Sequence, residues 1–313
     1  MRHAIARLVL ASGLIFGALA LPIAGQASGG ESTIGVIADT PESFALLLQI
    51  GRGLDHVEGL RVLPIAGKGP IQTLTDLVQL RGVDAALLTS DTLGYAKSNG
   101  LLPDIDDKVS FLVRLGGLDV HVIARKGINS FSELDGKTIA TGSTGSSSFI
   151  AAELLTSAAG RSAKLFVADG LDAVAAVVGG KADAAILVGR KPLGQLKQAK
   201  GLHLVSVTFP GALPESYAPA LLSHEDYPQL IARGQSVETL SASLVVAAFN
   251  WKRGSPQYQR TRQFADALFA ALQPGGENDA NINLAASVPG WRRHAAAEDA
   301  LKSRAGKLQA SSP

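Results

Sequence analysis

The chain has 313 residues, 46% hydrophobic and 18% charged, a globular balance with mass for two small domains or one large one. It contains no cysteine, which excludes disulfides, thiol catalysis, Cys-ligated metal and a lipid-modified N-terminal cysteine. The formal charge of +2 rests on Arg2 and Arg7, so the remaining chain is neutral, and with aromatics at only 5% it offers neither a basic nor a base-stacking surface for nucleic acid.

The N-terminus reads as a secretory signal spanning residues 1–27. Arg2 and Arg7 supply the positive start, residues 8–23 are apolar but short for a membrane span, and Gly25-Gln26-Ala27 places small residues at the cleavage site. Cleavage after Ala27 is expected to release the mature protein into a periplasm. No later stretch is long and apolar enough to cross a bilayer.

Residues 33–37 alternate β-branched and small side chains and predict a first strand. A turn at Asp39-Thr40-Pro41 leads into a helix carrying Phe44, Leu47, Leu48 and Ile50. Residues 60–65 predict a second strand. After the turn Gly67-Lys68-Gly69, Pro70 opens a helix with Ile71, Leu74, Leu77 and Val78 on one face, and Gly82 stops it. Residues 85–88 predict a third strand ending in a Thr89-Ser90-Asp91 turn, and residues 111–115 a fourth. Gly116-Gly117 marks an expected crossover, and residues 120–124 open a second lobe. Ser130-Phe131-Ser132-Glu133 is a capping-box pattern. A strand at 138–141, a helix at 146–159, a strand at 165–167, a helix at 171–178 and a strand at 184–188 follow, with residues 204–207 closing the lobe. Further on, residues 244–249 predict a strand returning to the first lobe and residues 255–272 a helix with Phe264, Leu268, Phe269 and Leu272 on one side. The tail from Asn281 reads as helical, with Trp291 a packing anchor.

A near-repeat organises this order. Thr33-Ile34 and Ser43-Phe44 bracket one strand-loop-helix entry, and Thr138-Ile139 and Ser148-Phe149 bracket another of the same length. Val83-Asp84-Ala85-Ala86-Leu87-Leu88 is answered by Ala182-Asp183-Ala184-Ala185-Ile186-Leu187. The expected fold is therefore α/β with two lobes, each a mostly parallel sheet flanked by helices, and a ligand cleft between them. The expected boundaries are residues 28–118 for the first part of lobe 1, 119–212 for lobe 2, and 213–313 for the return to lobe 1 with C-terminal helices.

Ligands in open α/β sheets bind beyond the carboxyl ends of strands, which selects five turns. Gly142-Ser143-Thr144-Gly145-Ser146-Ser147-Ser148 is the strongest, because a strand-to-helix turn rich in glycine and hydroxyls forms an anion cradle. Plain helix capping is the alternative, but capping needs one hydroxyl and this turn has five. Lys68 supplies a mobile positive charge or is a solvated turn lysine. Arg190 suits a bidentate carboxylate, or an interlobe salt bridge to Asp91. Asp39 and Glu42 suit a ligand ammonium or favour a helix N-terminus. The sequence carries no G-x-S-x-G elbow, Walker A loop or G-x-G-x-x-G run, and its six histidines lack i,i+4 spacing. His121 is the histidine nearest the expected cleft. Asp104, Asp106 and Asp107 lack the rest of an EF-hand loop. Neither a cofactor nor a metal is expected.

Four segments carry a family resemblance: Ala66-Gly67-Lys68-Gly69, the run from Val83 to Thr89-Ser90-Asp91, Ser132-Glu133-Leu134-Asp135-Gly136-Lys137, and Thr141-Gly142-Ser143-Thr144-Gly145-Ser146. In this order they resemble the TAXI-type solute-binding subunits of TRAP transporters, within the wider NMT1-like, type II periplasmic binding proteins. The resemblance implies two lobes joined by two crossings that close on a small anionic or zwitterionic solute. A dicarboxylate, a keto acid or an amino acid is implied, carried by a monomer to membrane subunits of a TRAP-type transporter. The family's first turn has a Gly-Thr-Tyr-like run. Ala38-Asp39-Thr40-Pro41-Glu42-Ser43-Phe44 stands there instead, so only Thr40, Ser43 and Phe44 can substitute. Ser90 and Asp91 match the family pattern. The ligand-binding set so implied is Thr40, Ser43, Lys68, Gly69, Ser90, Asp91, Ser143, Thr144, Gly145, Ser146 and Arg190. A periplasmic sensor partner, an ABC-type binding protein, or an enzyme using Asp91 and His121 as bases are the alternatives.

Overall fold

A computed structural model describes residues 32–209, 212–272 and 282–310. The expected signal segment and its cleavage at Ala27 lie outside the described residues.

The first lobe begins with β1 (Ser32–Ala38), α1 (Pro41–Leu54), β2 (Leu60–Ala66), α2 (Pro70–Gln79), β3 (Ala85–Thr89), α3 (Ser90–Ser98) and the short α4 (Ile105–Lys108). The helix α1 starts where the sequence predicts because Thr40 and Ser43 form a reciprocal capping box and Pro41 fits the first turn. Its inward residues Ser43, Leu47, Ile50, Gly51 and Leu54 follow helical spacing. All five residues of β3 are buried, as expected of an interior strand covered on both faces. The strand β1 pairs in parallel with both β2 and β3.

The chain then enters β4 (Val109–Ala124), which runs from the first lobe into the second. The second lobe adds β5 (Thr138–Thr141), α5 (Ser147–Ala158), β6 (Lys164–Val167), α6 (Gly170–Val178), β7 (Ala184–Gly189) and the two-residue β8 (His203–Leu204). Here β5 pairs in parallel with β6 and β7. After β9 (Tyr217–Ser223), β10 (Ser236–Phe249) runs back beside β4, and α7 (Pro256–Ala271) and α8 (Ala295–Ala310) complete the chain. The sheet order is β2-β1-β3-β10-β4-β7-β5-β6, with β8 beside β4 and β9 beside β10. The outer strands of each lobe are parallel, and the two long crossing strands are antiparallel to their neighbours. Apolar side chains fall into four buried clusters. One contains α1, α7 and α8 residues and another α2 and α3 residues, on opposite faces of the first lobe. The other two hold α5 and α6 residues on opposite faces of the second. None of the described helices is long and apolar enough to cross a membrane.

The near-repeat is real in space. Both β1 and β5 sit centrally in their lobes, and each feeds a helix whose N-cap hydroxyl accepts from the backbone three residues on, Thr40 from Ser43 and Ser146 from Phe149. Other expectations need correction. Residues 111–115 and 120–124 are one strand, not two. Gly116-Gly117 lies inside the continuous β4, where it lets the crossing strands approach closely. Gly116 holds φ +134°, and a Cβ on Gly117 would collide with Ser241 Oγ. Of residues 204–207, expected to close the lobe, only Leu204 joins a strand, the β8 pair with β4, and the strand expected at 244–249 is the end of the longer β10. Ser90-Asp91 opens α3 rather than a turn, and the tail helix starts only at Ala295.

Candidate functional site

The C-terminal ends of β1 and β7 and the first turns of α1, α5 and α6 converge on a cavity of about 900 Å³. From the first lobe come Thr40, Pro41, Glu42, Ser43 and Leu46. The second contributes Ser146, Ser147, Ser148, Asp169, Leu171, Arg190 and the segment from Pro192 to Gln195. Leu118 on β4 and Leu244 on β10 form the part of the wall contributed by the crossing strands.

The polar groups are organised by the helix starts. Thr40 Oγ1 accepts from the Ser43 N–H at 3.0 Å, and Ser43 Oγ accepts from the Thr40 N–H at 3.0 Å. The Ser43 hydroxyl also faces Asp39 Oδ1 at 3.2 Å. Burial raises the Asp39 pKa from 3.8 to about 6, with the Asp91 carboxylate adding to the rise and hydrogen bonds from its own backbone and from Ser43 opposing it. On the other side, Ser146 Oγ caps α5, and Ser148 Oγ accepts from the Val188 N–H at 3.1 Å. That bond ties the start of α5 to the end of β7.

Arg190 is the one cation among the described residues that line the cavity. Its guanidinium donates to the Leu115 carbonyl at 3.3 Å. Leu244 pairs with Gly116 and Val245 with Arg114, so Leu115 is the extra residue of a β-bulge and has no partner on β10. The interlobe salt bridge from Arg190 to Asp91 does not form. Asp91 is fully buried, which pushes its pKa up, and accepts from the Tyr217 hydroxyl at 2.7 Å, while its Oδ1 has no hydrogen-bond partner among the described residues.

Of the residues singled out from sequence, Thr40, Ser43, Ser146 and Arg190 meet at the cavity. Lys68, Gly69, Ser90, Asp91, Ser143, Thr144 and Gly145 are not among its lining residues. Ser90 is a junction: its hydroxyl donates to the Ser216 carbonyl at 2.6 Å and accepts from the Ser243 N–H at 2.8 Å, and its carbonyl accepts from Trp291 Nε1 at 3.0 Å. The turns holding Gly69 and Gly145 come together across the lobes, since a Cβ on Gly69 would lie 3.7 Å from the Gly145 carbonyl. At the expected anion cradle, the Ser143 N–H donates to Asp169 Oδ1 at 3.1 Å. The chain's own carboxylate therefore takes up that donor.

Asp169, Gln195, Gln198 and the Pro192–Leu193 wall were missed by sequence reading. Asp169 had a findable signal, since the strand-to-helix turn Ala168-Asp169-Gly170 stands where Ala66-Gly67-Lys68-Gly69 stands in the first lobe. The wall is braced from behind. The Leu193 N–H donates to the Tyr227 hydroxyl at 2.7 Å, and that hydroxyl lies 2.7 Å from His121 Nε2. Burial lowers the His121 pKa to about 4, so the ring is neutral at physiological pH.

Two lobes, two crossing strands and a cavity between helix starts define the periplasmic-binding-protein fold of type II. A solved structure described as a periplasmic transporter aligns with 89% of this chain and 94% of its own at a TM-score of 0.50 and 16% identity. The aliphatic sulphonate binding protein SsuA from Escherichia coli aligns with 77% of this chain and 71% of its own at TM-score 0.46 and 15% identity. The Candida albicans CA3427 gene product, described as having the generic periplasmic binding protein fold, aligns with 77% of this chain and 70% of its own at TM-score 0.49 and 15% identity. No curated protein sequence matches the chain. The NMT1/THI5-like family profile matches residues 57–230, more than half of the sequence, and the chain belongs to that family.

Proposed function

We propose that this chain is an exported, periplasmic solute-binding protein that captures a small carboxylate-bearing solute between its lobes and delivers it to a membrane transporter. The observation that carries this reading is the cavity of about 900 Å³ with Arg190 as its only cationic lining residue among those described. A guanidinium matches a carboxylate in bidentate fashion, and the starts of α1 and α5 add hydroxyls and helix-end polarity of the right sign. The proposed contact set is Thr40, Ser43, Ser146 and Arg190, joined by Ser147 and Ser148. Lys68, Gly69, Ser143, Thr144 and Gly145 act at the turns where the lobes meet, and Ser90 and Asp91 support the crossing strands. The lobes we propose are residues 28–118 with 213–313, and residues 119–212, in a monomer released by cleavage near Ala27.

The transporter we propose is of the TRAP type, on the strength of the ordered TAXI-like segments. Family membership accommodates an ABC-type importer equally, and co-purification of the mature protein with either class of membrane subunit separates them. The capture reading is tested by a thermal-shift screen of the chain from Ser28 against carboxylate-bearing solutes. A ligand at a hundred times its Kd stabilises by about 2.7 kcal/mol, and Arg190→Ala should remove that shift while leaving the unliganded melting point in place. An unchanged shift in Arg190→Ala would refute the headgroup assignment.

A further inference from the structure

The cavity that we read as a capture site is built for one charge and a large apolar body. Arg190 is the sole cation in its described wall, and its guanidinium is anchored at the Leu115 carbonyl, next to the crossing strands. Two carboxylates, Glu42 and Asp169, stand in the same wall. Asp169 accepts from the Ser143 N–H, which favours its carboxylate in this place. A solute with a second carboxylate would therefore meet like charge and no second cation, an electrostatic rejection built into the wall.

Much of the rest of the wall is hydrocarbon, set beside the hydroxyls at the starts of α1 and α5 and the amides of Gln195 and Gln198. Leu118 and Leu244 come from the crossing strands, Leu46 from α1, and Leu187 and Leu193 from the second lobe. At α6, Leu171 is 49% exposed although it lines the cavity, so an apolar side chain is left waiting in the site itself. A volume of about 900 Å³ lies near the upper end of the 300–1,000 Å³ typical of small-molecule sites, far beyond the need of a four-carbon diacid.

We infer that the solute is an amphipathic monocarboxylate, with its carboxylate on Arg190 and a hydrocarbon chain or ring against the leucine walls. This inference rests on the solute-capture reading and narrows it. The experiment is calorimetric titration of the mature protein with a homologous series from butanoate to octanoate, and with octanedioate as the length-matched diacid. Each methylene that enters the apolar wall should tighten binding about fourfold, and octanoate should bind more tightly than octanedioate. Leu171→Asn, at an exposed position that leaves the core intact, should flatten the dependence on chain length. Arg190→Ala should weaken short and long monoacids by the same factor. If octanedioate matches or exceeds octanoate, or affinity is independent of chain length, the apolar-body inference is overturned while capture of a carboxylate stands. If neither series binds, the inference is overturned, and the wider thermal-shift screen decides the capture reading separately.

Discussion

Replacing Asp39 by Asn should stabilise the protein at neutral pH and leave it unchanged in acid. Asp39 stands at the end of β1, half-buried, with its pKa raised from 3.8 to about 6 chiefly by burial and further by the charge of Asp91. The folded state thus holds the proton more tightly than the unfolded chain. Stability from this linkage is fully present below the unfolded pKa and is lost as pH rises through about 6. The full rise corresponds to about 3 kcal/mol at 1.36 kcal/mol per pH unit, and solvent access to the side chain reduces this to roughly 1–3 kcal/mol. Asn keeps an Oδ1 acceptor for the Ser43 hydroxyl and carries no charge, so it should escape the loss. Urea denaturation of both proteins at intervals from pH 4 to pH 8 reads the difference directly, provided the m-values agree. The gap should be smallest at pH 4, about a fifth of its full size, widen up to pH 7, and level off above. Asp91 contributes to both proteins and largely cancels in the difference. A gap that is constant with pH, or one that widens toward acid, would refute the reasoning.

Three further substitutions probe the frame around the cavity. Gly35→Ala should prevent stable folding, because a Cβ on Gly35 in β1 would fall onto the Gly82 carbonyl oxygen; a soluble variant with the parental melting temperature would contradict the packing of β1. Tyr217→Phe removes the hydroxyl that Asp91 accepts at 2.7 Å in a fully buried setting and should cost about 1–3 kcal/mol in urea denaturation. Tyr227→Phe keeps the ring packing but orphans the Leu193 N–H; amide exchange at Leu193 should accelerate while exchange in β1 and β3 stays unchanged, and equal protection at Leu193 would exclude the brace.

What the sequence makes legible is local. The two strand-loop-helix entries are readable because capping hydroxyls, a proline at a helix start and stop glycines act within a few residues of one another. Elements held by distant partners are not. Pro219 interrupts the β pattern of β9, which exists because it pairs with β10 at the sheet's flank. The helix α3 starts without a side-chain cap and contains Gly94, a poor helix residue. The structure explains that glycine, since a Cβ there would collide with Ser216 Oγ. The tail fails for a related reason. Residues just before α8 are committed to tertiary bonds, the Phe111 N–H to the Arg292 carbonyl and the His294 N–H to the Phe111 carbonyl, so local alanine content does not extend the helix to them.

The candidate site follows the same division, and Arg190 shows where the boundary falls. Its position after β7 is deducible from the repeat, and a guanidinium at a strand end is a sound guess for anion recognition. Its partner was not deducible, because Asp91 carries the charge that would invite it while Leu115 carries only a carbonyl. Geometry reverses that preference. Asp91 lies inside the first lobe under the Tyr217 hydroxyl, whereas the extra residue in β4 leaves Leu115 without a register partner on β10, and its carbonyl accepts from Arg190. A neutral acceptor leaves the guanidinium its full charge, and with one amino group engaged at Leu115 the remaining N–H groups meet no carboxylate among the described residues. An Arg190–Asp91 pair would have neutralised the only cation in the described cavity wall. The bulge therefore does two things with one inserted residue: it lets the crossing strands bend where the lobes meet, and it orients the cation without cancelling it.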